Sequence, residues 1–170
     1  VIERARAAGL GAIVVNGLEP VSNRQVLELA ARHDIVRPAL GIYPIDAVCD
    51  LLPADFALQV ARFDVDEELA FIEAEAAAGR LTAIGECGLD GYSVGEETFA
   101  AQERVFERLV DIAMRHRLPA IIHTRKREVR AAEILRHLGA RQVDFHCYGG
   151  KVKNALKWAA EDGWWFSVPA

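Results

Sequence analysis

The chain has 170 residues, 52% of them hydrophobic, and a formal net charge of -5, so it can bury a sizeable core and reads as one domain rather than a disordered segment. The negative balance excludes broad electrostatic attraction to nucleic acid or an anionic membrane, and any polyanion has to be held by a local basic patch. Cys49, Cys87 and Cys147 are odd in number and widely spaced, with no CxxC, which argues against a disulfide framework or a cysteine zinc knot and for a reducing, cytoplasmic setting.

In chain order, Val1 to Gly9 reads as the tail of a helix stopped by Gly9. Ala12 to Gly17 is a buried strand, and Pro20 to His33 carries helical periodicity through Val26, Leu29 and Ala30. Val36 to Pro44 is the next strand, ending in Gly41-Ile42-Tyr43-Pro44, which puts an aromatic hydroxyl and a rigid turn on the loop side. From Ile45 to Phe63 the pattern weakens around Pro53, as expected of a partly helical insertion. Asp64 to Gly79 returns to helix, with Asp64 as its cap and Leu69, Ile72 and Ala76 as the buried stripe.

Leu81 to Asp90 is the central strand. A long helix from about Glu96 to Arg117 follows, with Phe99, Phe106, Leu109, Val110, Ala113 and Met114 as its stripe. Pro119 to Arg125 and Gln142 to Tyr148 are strands separated by a helix near Glu128 to Leu138, and Lys151 to Asp162 is helical before a last strand from Gly163 to Ala170. About six strand-helix units result, a pattern shared by an open doubly wound sheet and a (β/α)8 barrel. The polar residues decide between them. An open sheet gathers its ligands at one switch point, whereas here they are dispersed over the ends of several strands, as around the mouth of a TIM barrel. No stretch is long and apolar enough for a membrane span, no basic-then-apolar leader opens the chain, and the missing initial methionine points to a fragment.

Alternation along Thr82 to Asp90 puts Ile84, Glu86, Gly88 and Asp90 on one face. A buried Glu86 needs a cation, supplied by a metal ion or by a nearby arginine. His123 and His146 each follow a short apolar run at the end of a later strand, and Glu, His and His so placed suit a divalent metal at the carboxyl end of a parallel sheet; taken alone, either histidine reads first as a hydrogen-bonded core residue. Asp90 is expected to orient a ligand or loop, and Asp144, on the face of His146, to orient that histidine or form a salt bridge deeper in the barrel. Arg125, Lys126 and Arg127 follow the first histidine, and Gly149-Gly150-Lys151 leads into a helix whose free N–H groups can hold an anion, so Arg125, Lys126 and Lys151 are the substrate-binding candidates. A solvated helix start also accounts for Lys126 and Arg127. Cys87 and Cys147 read as packing residues, and Trp158, Trp164 and Trp165 as cover for the outside of the barrel.

These residues resemble the TatD family of metal-dependent hydrolases. Gly85-Glu86-Cys87-Gly88-Leu89-Asp90 resembles its GExGLD strand, His123-Thr124-Arg125 its HxR, and Phe145-His146-Cys147-Tyr148-Gly149-Gly150 its FHCFxG; Gln102, Phe106 and Leu118-Pro119 fall where the family has Q-x-x-x-F and LP. The resemblance implies a (β/α)8 barrel of which this chain carries about six units of eight, the first and last strands being absent. It also implies two divalent ions (Zn, Mn, Mg, Co or Fe) bridged by Glu86, with His123 and His146 completing one shell, and hydrolysis of phosphodiester bonds at DNA ends in the 3′-to-5′ direction. The family's HxH pair and TDxP aspartate have no counterpart here, and Tyr43 stands where many members have His in GxHP. Two other readings stand beside it: an ester or amide hydrolase such as an aminoacyl-tRNA deacylase, and an inactive scaffold fragment. DNA or another phosphodiester is the expected partner, with no membrane and no obligate protein partner evident.

Overall fold

The computed structural model describes residues 1–168. Six helices alternate with six strands: α1 (Ile2–Ala7), β1 (Ile13–Asn16), α2 (Pro20–Arg32), β2 (Val36–Leu40), α3 (Val65–Ala77), β3 (Ala83–Asp90), α4 (Phe99–Arg115), β4 (Ala120–Arg125), α5 (Glu128–Leu138), β5 (Val143–Phe145), α6 (Val152–Asp162) and β6 (Trp165–Phe166). All adjacent pairs are parallel and the sheet order is β1-β2-β3-β4-β5-β6. A doubly wound sheet reverses its strand order at a switch point. This one does not, and a strictly sequential parallel order is that of a barrel wall.

Local chemistry sets the helix ends. Glu19 accepts the Val21 and Ser22 N–H groups while the Ser22 hydroxyl accepts from Leu18 and Glu19, and Pro20 occupies the first turn of α2, where its missing N–H costs nothing. Asp64 caps α3 as expected, accepting from the Asp66 and Glu67 N–H groups at 2.9 and 3.0 Å. Helix α4 buries Val105, Phe106, Leu109, Val110, Ile112 and Ala113 against the sheet. Met114, expected in that stripe, is exposed, because it lies past the edge of the arc that Leu109, Val110 and Ala113 already fill.

The core lies between sheet and helices and includes Leu40, Ile84, Cys87, Leu89, Ile122, Val143 and Phe145. Ala39, Ala83 and Ile121 form a separate small cluster. Trp158 and Trp164 are buried with Phe145, Tyr148 and Phe166 in an aromatic cluster where α6 meets the sheet, whereas Trp165 is exposed. The segment 45–63 contains a 3-10 helix, Asp46–Leu51, and packs Ile45, Val48, Leu52, Phe56 and Val60 against Tyr43 and Val94. The last expected strand is short, and its final two residues lie outside the described range.

One expectation about β3 fails. Ile84 pairs with Ala120 and Cys87 with Ile122, so three steps on β3 match two on β4, a bulge. An extra residue inverts the alternation beyond it. Ile84 therefore shares the core with Cys87 and Leu89, and does not share a face with Glu86, Gly88 and Asp90.

Candidate functional site

The carboxyl ends of β3 and β4 bring Glu86, Asp90 and His123 into contact. Glu86 Oε1 lies 3.2 Å from His123 Nδ1, and Asp90 Oδ2 lies 3.2 Å from His123 Nε2. The partner that a half-buried Glu86 requires is thus an imidazole and not an arginine. Burial disfavours charge on His123, but the hydrogen bonds and charges of Asp90 and Glu86 outweigh it and raise its pKa above the ordinary imidazole value. Burial likewise opposes ionisation of Asp90, and His123 together with the Ser93 and Tyr92 N–H groups reverses that and holds its carboxyl below the usual range.

The surroundings make this geometry specific. Gly88 sits beside His123 in the ladder with φ 146°, and a Cβ there would stand 2.0 Å from the His123 carbonyl oxygen. Only glycine lets the strands close so tightly. The backbone of Asp90 is clasped by the fully buried Gln102, whose Oε1 accepts its N–H at 2.8 Å and whose Nε2 donates to its carbonyl at 2.9 Å. Tyr43 lies against His123 with ring centroids 4.6 Å apart and its hydroxyl 3.4 Å from Nε2. Burial, reinforced by Asp90 and Glu86, pushes its phenol up to about 12, so it stays protonated.

His146 at the end of β5 lines the same cavity as His123, a space of about 300 Å³ that also meets Thr124, Arg125, Lys126 and Glu128. Its ring is held separately, with Nδ1 3.0 Å from Ser167 Oγ and Nε2 3.4 Å from Cys147 Sγ. Asp144 precedes Phe145 on β5; burial raises its pKa, against the lowering by the charge of His146 and by the Ser167 N–H. Ser167, which no motif signalled, is the group in hydrogen-bond contact with His146 Nδ1. Cys87 is fully buried, while Cys147, expected to pack, is exposed because a positive φ of 46° swings it out of the strand. Arg125 and Lys126 are exposed on the rim, and Lys126 and Lys151 share a neighbouring cavity with Gly149, Gly150 and Asn154.

Two donor atoms roughly 2.0–2.2 Å from one divalent ion stand about 2.8–3.6 Å apart at octahedral to tetrahedral angles, and the Glu86–His123 separation of 3.2 Å falls in that interval. Asp90 on the opposite ring nitrogen is placed as the carboxylate that orients a ligating imidazole. Because the two carboxylates sit on opposite sides of one ring, they do not surround a point, and among the described residues no three His, Cys, Asp or Glu side chains are arranged to hold a metal ion. The donors fit a divalent ion in chemistry and pair spacing, and supply part of its shell.

The chain is similar to the human protein named deoxyribonuclease TATDN3, 30% identical over 173 residues that cover 99% of this chain and 61% of that protein. It is also similar to YabD of Bacillus subtilis (strain 168), named an uncharacterized metal-dependent hydrolase, 32% identical over 157 residues that cover 91% of this chain and 56% of that one. It thus spans little more than half the length of these relatives. The crystal structure of YJJV, a TatD homologue from Escherichia coli K12, superposes with a TM-score of 0.78 at 24% identity, covering 97% of this chain and 59% of the other. The six parallel strands are accordingly a curled half of a (β/α) barrel. The profile of the family described as TatD related DNase matches residues 1–170 from end to end, and the chain belongs to that family.

Proposed function

We propose that this chain is the metal-binding part of a phosphodiesterase that acts on DNA ends in the 3′-to-5′ direction, with a binuclear divalent-metal site to which Glu86, His123 and His146 contribute. The carrying observation is the Glu86–His123–Asp90 contact at the strand ends, a donor pair at ligand spacing with an orienting carboxylate behind it. The names of the relatives, a deoxyribonuclease and a metal-dependent hydrolase, support the reaction class. The remaining ligands would be those of the family's HxH and TDxP motifs, neither of which this sequence contains. We take residues 1–170 as one partial domain with 45–63 inserted over Tyr43 and Val94. We place it in the cytoplasm on the strength of its three unpaired cysteines; no described helix is long and apolar enough to cross a membrane.

Glu86, His123 and His146 would hold a divalent ion, which when bound would supply a lowered water pKa and charge stabilisation for phosphate oxygens. With Asp90 accepting a proton from Nε2, the Nδ1 lone pair of a neutral His123, beside Glu86, would be the one offered to a metal ion. Ser167 plays the corresponding part for His146 at Nδ1. Tyr43 walls the His123 ring and excludes water from that side. Arg125, Lys126 and Lys151 supply cationic donors for substrate phosphates.

The test is cleavage of end-labelled single-stranded DNA by the intact protein with Mn, Mg, Zn or Co, compared with EDTA. Glu86→Gln and His123→Ala are expected to lower kcat/KM by at least about 100-fold. EDTA-insensitive cleavage, or an unchanged rate in Glu86→Gln, would overturn the proposal. Turnover confined to aminoacyl esters would replace it with the acyl-hydrolase reading, and absence of metal binding with the scaffold reading.

A further inference from the structure

Four arginines lie over aromatic rings: Arg24 on Phe71, Arg125 on Tyr92, Arg127 on Phe99 and Arg136 near Trp158 and Trp164. Three of them are also bound to a carboxylate, Arg24 to Glu68, Arg127 to Glu103 and Arg136 to Asp162. Arg125 differs. Its Cζ stands 3.7 Å from the centroid of the Tyr92 ring, it is exposed, and among the described residues it has no ion-pair partner. Stacking occupies a face of the guanidinium and leaves its in-plane N–H donors free at the edge. This cation is held in place and uncommitted, on the wall of the cavity shared by His123 and His146.

Tyr92 is itself fixed from the site. Asp90 Oδ1 accepts the Tyr92 and Ser93 N–H groups at 2.9 and 2.6 Å, and the Gly91 N–H donates to the Arg125 carbonyl at 2.8 Å. The other oxygen of the same carboxylate touches His123. One side chain thereby sets both the imidazole and the ring that carries Arg125. Tyr92 is 61% exposed, so its placement serves no core.

We propose that Tyr92 is a positioning residue of the substrate site: it holds the Arg125 guanidinium at the rim so that its edge meets a phosphate of a single-stranded nucleic acid next to the bond being cleaved. This rests on the phosphodiesterase reading above. Contacts of this type fix the register of a strand and carry no base preference.

The experiment uses the intact protein and a fluorescein-labelled oligothymidylate, with kcat and KM measured in Mn and Kd measured by anisotropy in EDTA over a range of salt. Tyr92→Leu is expected to raise KM and Kd about two- to five-fold with kcat moving less, the scale of an exposed cation–π contact. Tyr92→Phe restores what Tyr92→Leu loses, because the ring and not the hydroxyl carries the guanidinium. Arg125→Ala raises Kd at least about ten-fold and lowers the salt slope by about 0.7, and adding Tyr92→Leu to it costs nothing more. A Tyr92→Leu effect that persists at full size in the Arg125→Ala background refutes the assignment. Wild-type cleavage with Tyr92→Leu at wild-type KM and Kd overturns this inference alone, whereas a wild type that neither binds nor cleaves oligonucleotides overturns it together with the phosphodiesterase reading.

Discussion

Replacing Gly88 by alanine tests whether the approach of β3 to β4 builds the site. The new Cβ would lie 2.0 Å from the His123 carbonyl oxygen and 2.9 Å from its carbonyl carbon, against the ~3.3–3.6 Å at which carbon ordinarily meets carbonyl oxygen. The strands must separate by more than about 1 Å at the residue whose imidazole faces Glu86 and Asp90. The displaced ladder gives up one or two hydrogen bonds at about 1 kcal/mol each, and a φ of 146° costs alanine about 1–3 kcal/mol. Together these predict a destabilisation of roughly 2–5 kcal/mol. Gly149→Ala is the matched control. A Cβ at Gly149 meets nothing within 4 Å, and the change should cost less than about 0.5 kcal/mol. Urea unfolding followed by the fluorescence of the buried Trp158 and Trp164 measures both. On the phosphodiesterase reading proposed above, the variant should also lose DNA cleavage ahead of its stability, since His123 moves first. A Gly88→Ala protein within about 1 kcal/mol of Gly149→Ala would refute the packing argument.

Two further outcomes follow from the same geometry. Burial raises the Asp46 carboxyl to about 6, against the Ala61 N–H it accepts at 3.3 Å. The native state therefore holds a proton that the unfolded chain releases near pH 3.9, so stability falls as pH rises through that window and the deficit is complete above about 6. The full shift corresponds to about 3 kcal/mol, reduced by solvent screening to about 1 kcal/mol; Asp46→Asn should be more stable than wild type by that amount at pH 7.5 and no more stable at pH 4, and equal urea midpoints at pH 7.5 would contradict it. Ser167→Ala removes the hydroxyl 3.0 Å from His146 Nδ1 and 3.1 Å from the Cys147 N–H; affinity for Mn or Zn in the intact protein should fall about ten-fold by calorimetry, and an unchanged affinity would mean that the histidine needs no such support.

The strand-helix alternation, the Asp64 cap, the glycine stops and the polar residues at successive strand ends were legible in the sequence. Each depends on residues within a few positions of one another, and periodicity and end chemistry are local properties. The motif strings singled out Glu86, His123 and His146 as candidate donors, because the side-chain types that can hold a metal are readable from the sequence whatever the packing. What the linear string could not carry is everything set by register between strands. The bulge between Ile84 and Cys87 inverts a parity that sequence alternation takes for granted. The clasp of Gln102 on Asp90, the hydroxyl of Ser167 at His146 and the stacking of Arg125 on Tyr92 join residues 12, 21 and 33 positions apart. No local pattern signals such pairs. The candidate donors were thus set by chain chemistry, and which of them meet was decided by how tightly two strands close over a glycine, a matter of tertiary packing alone.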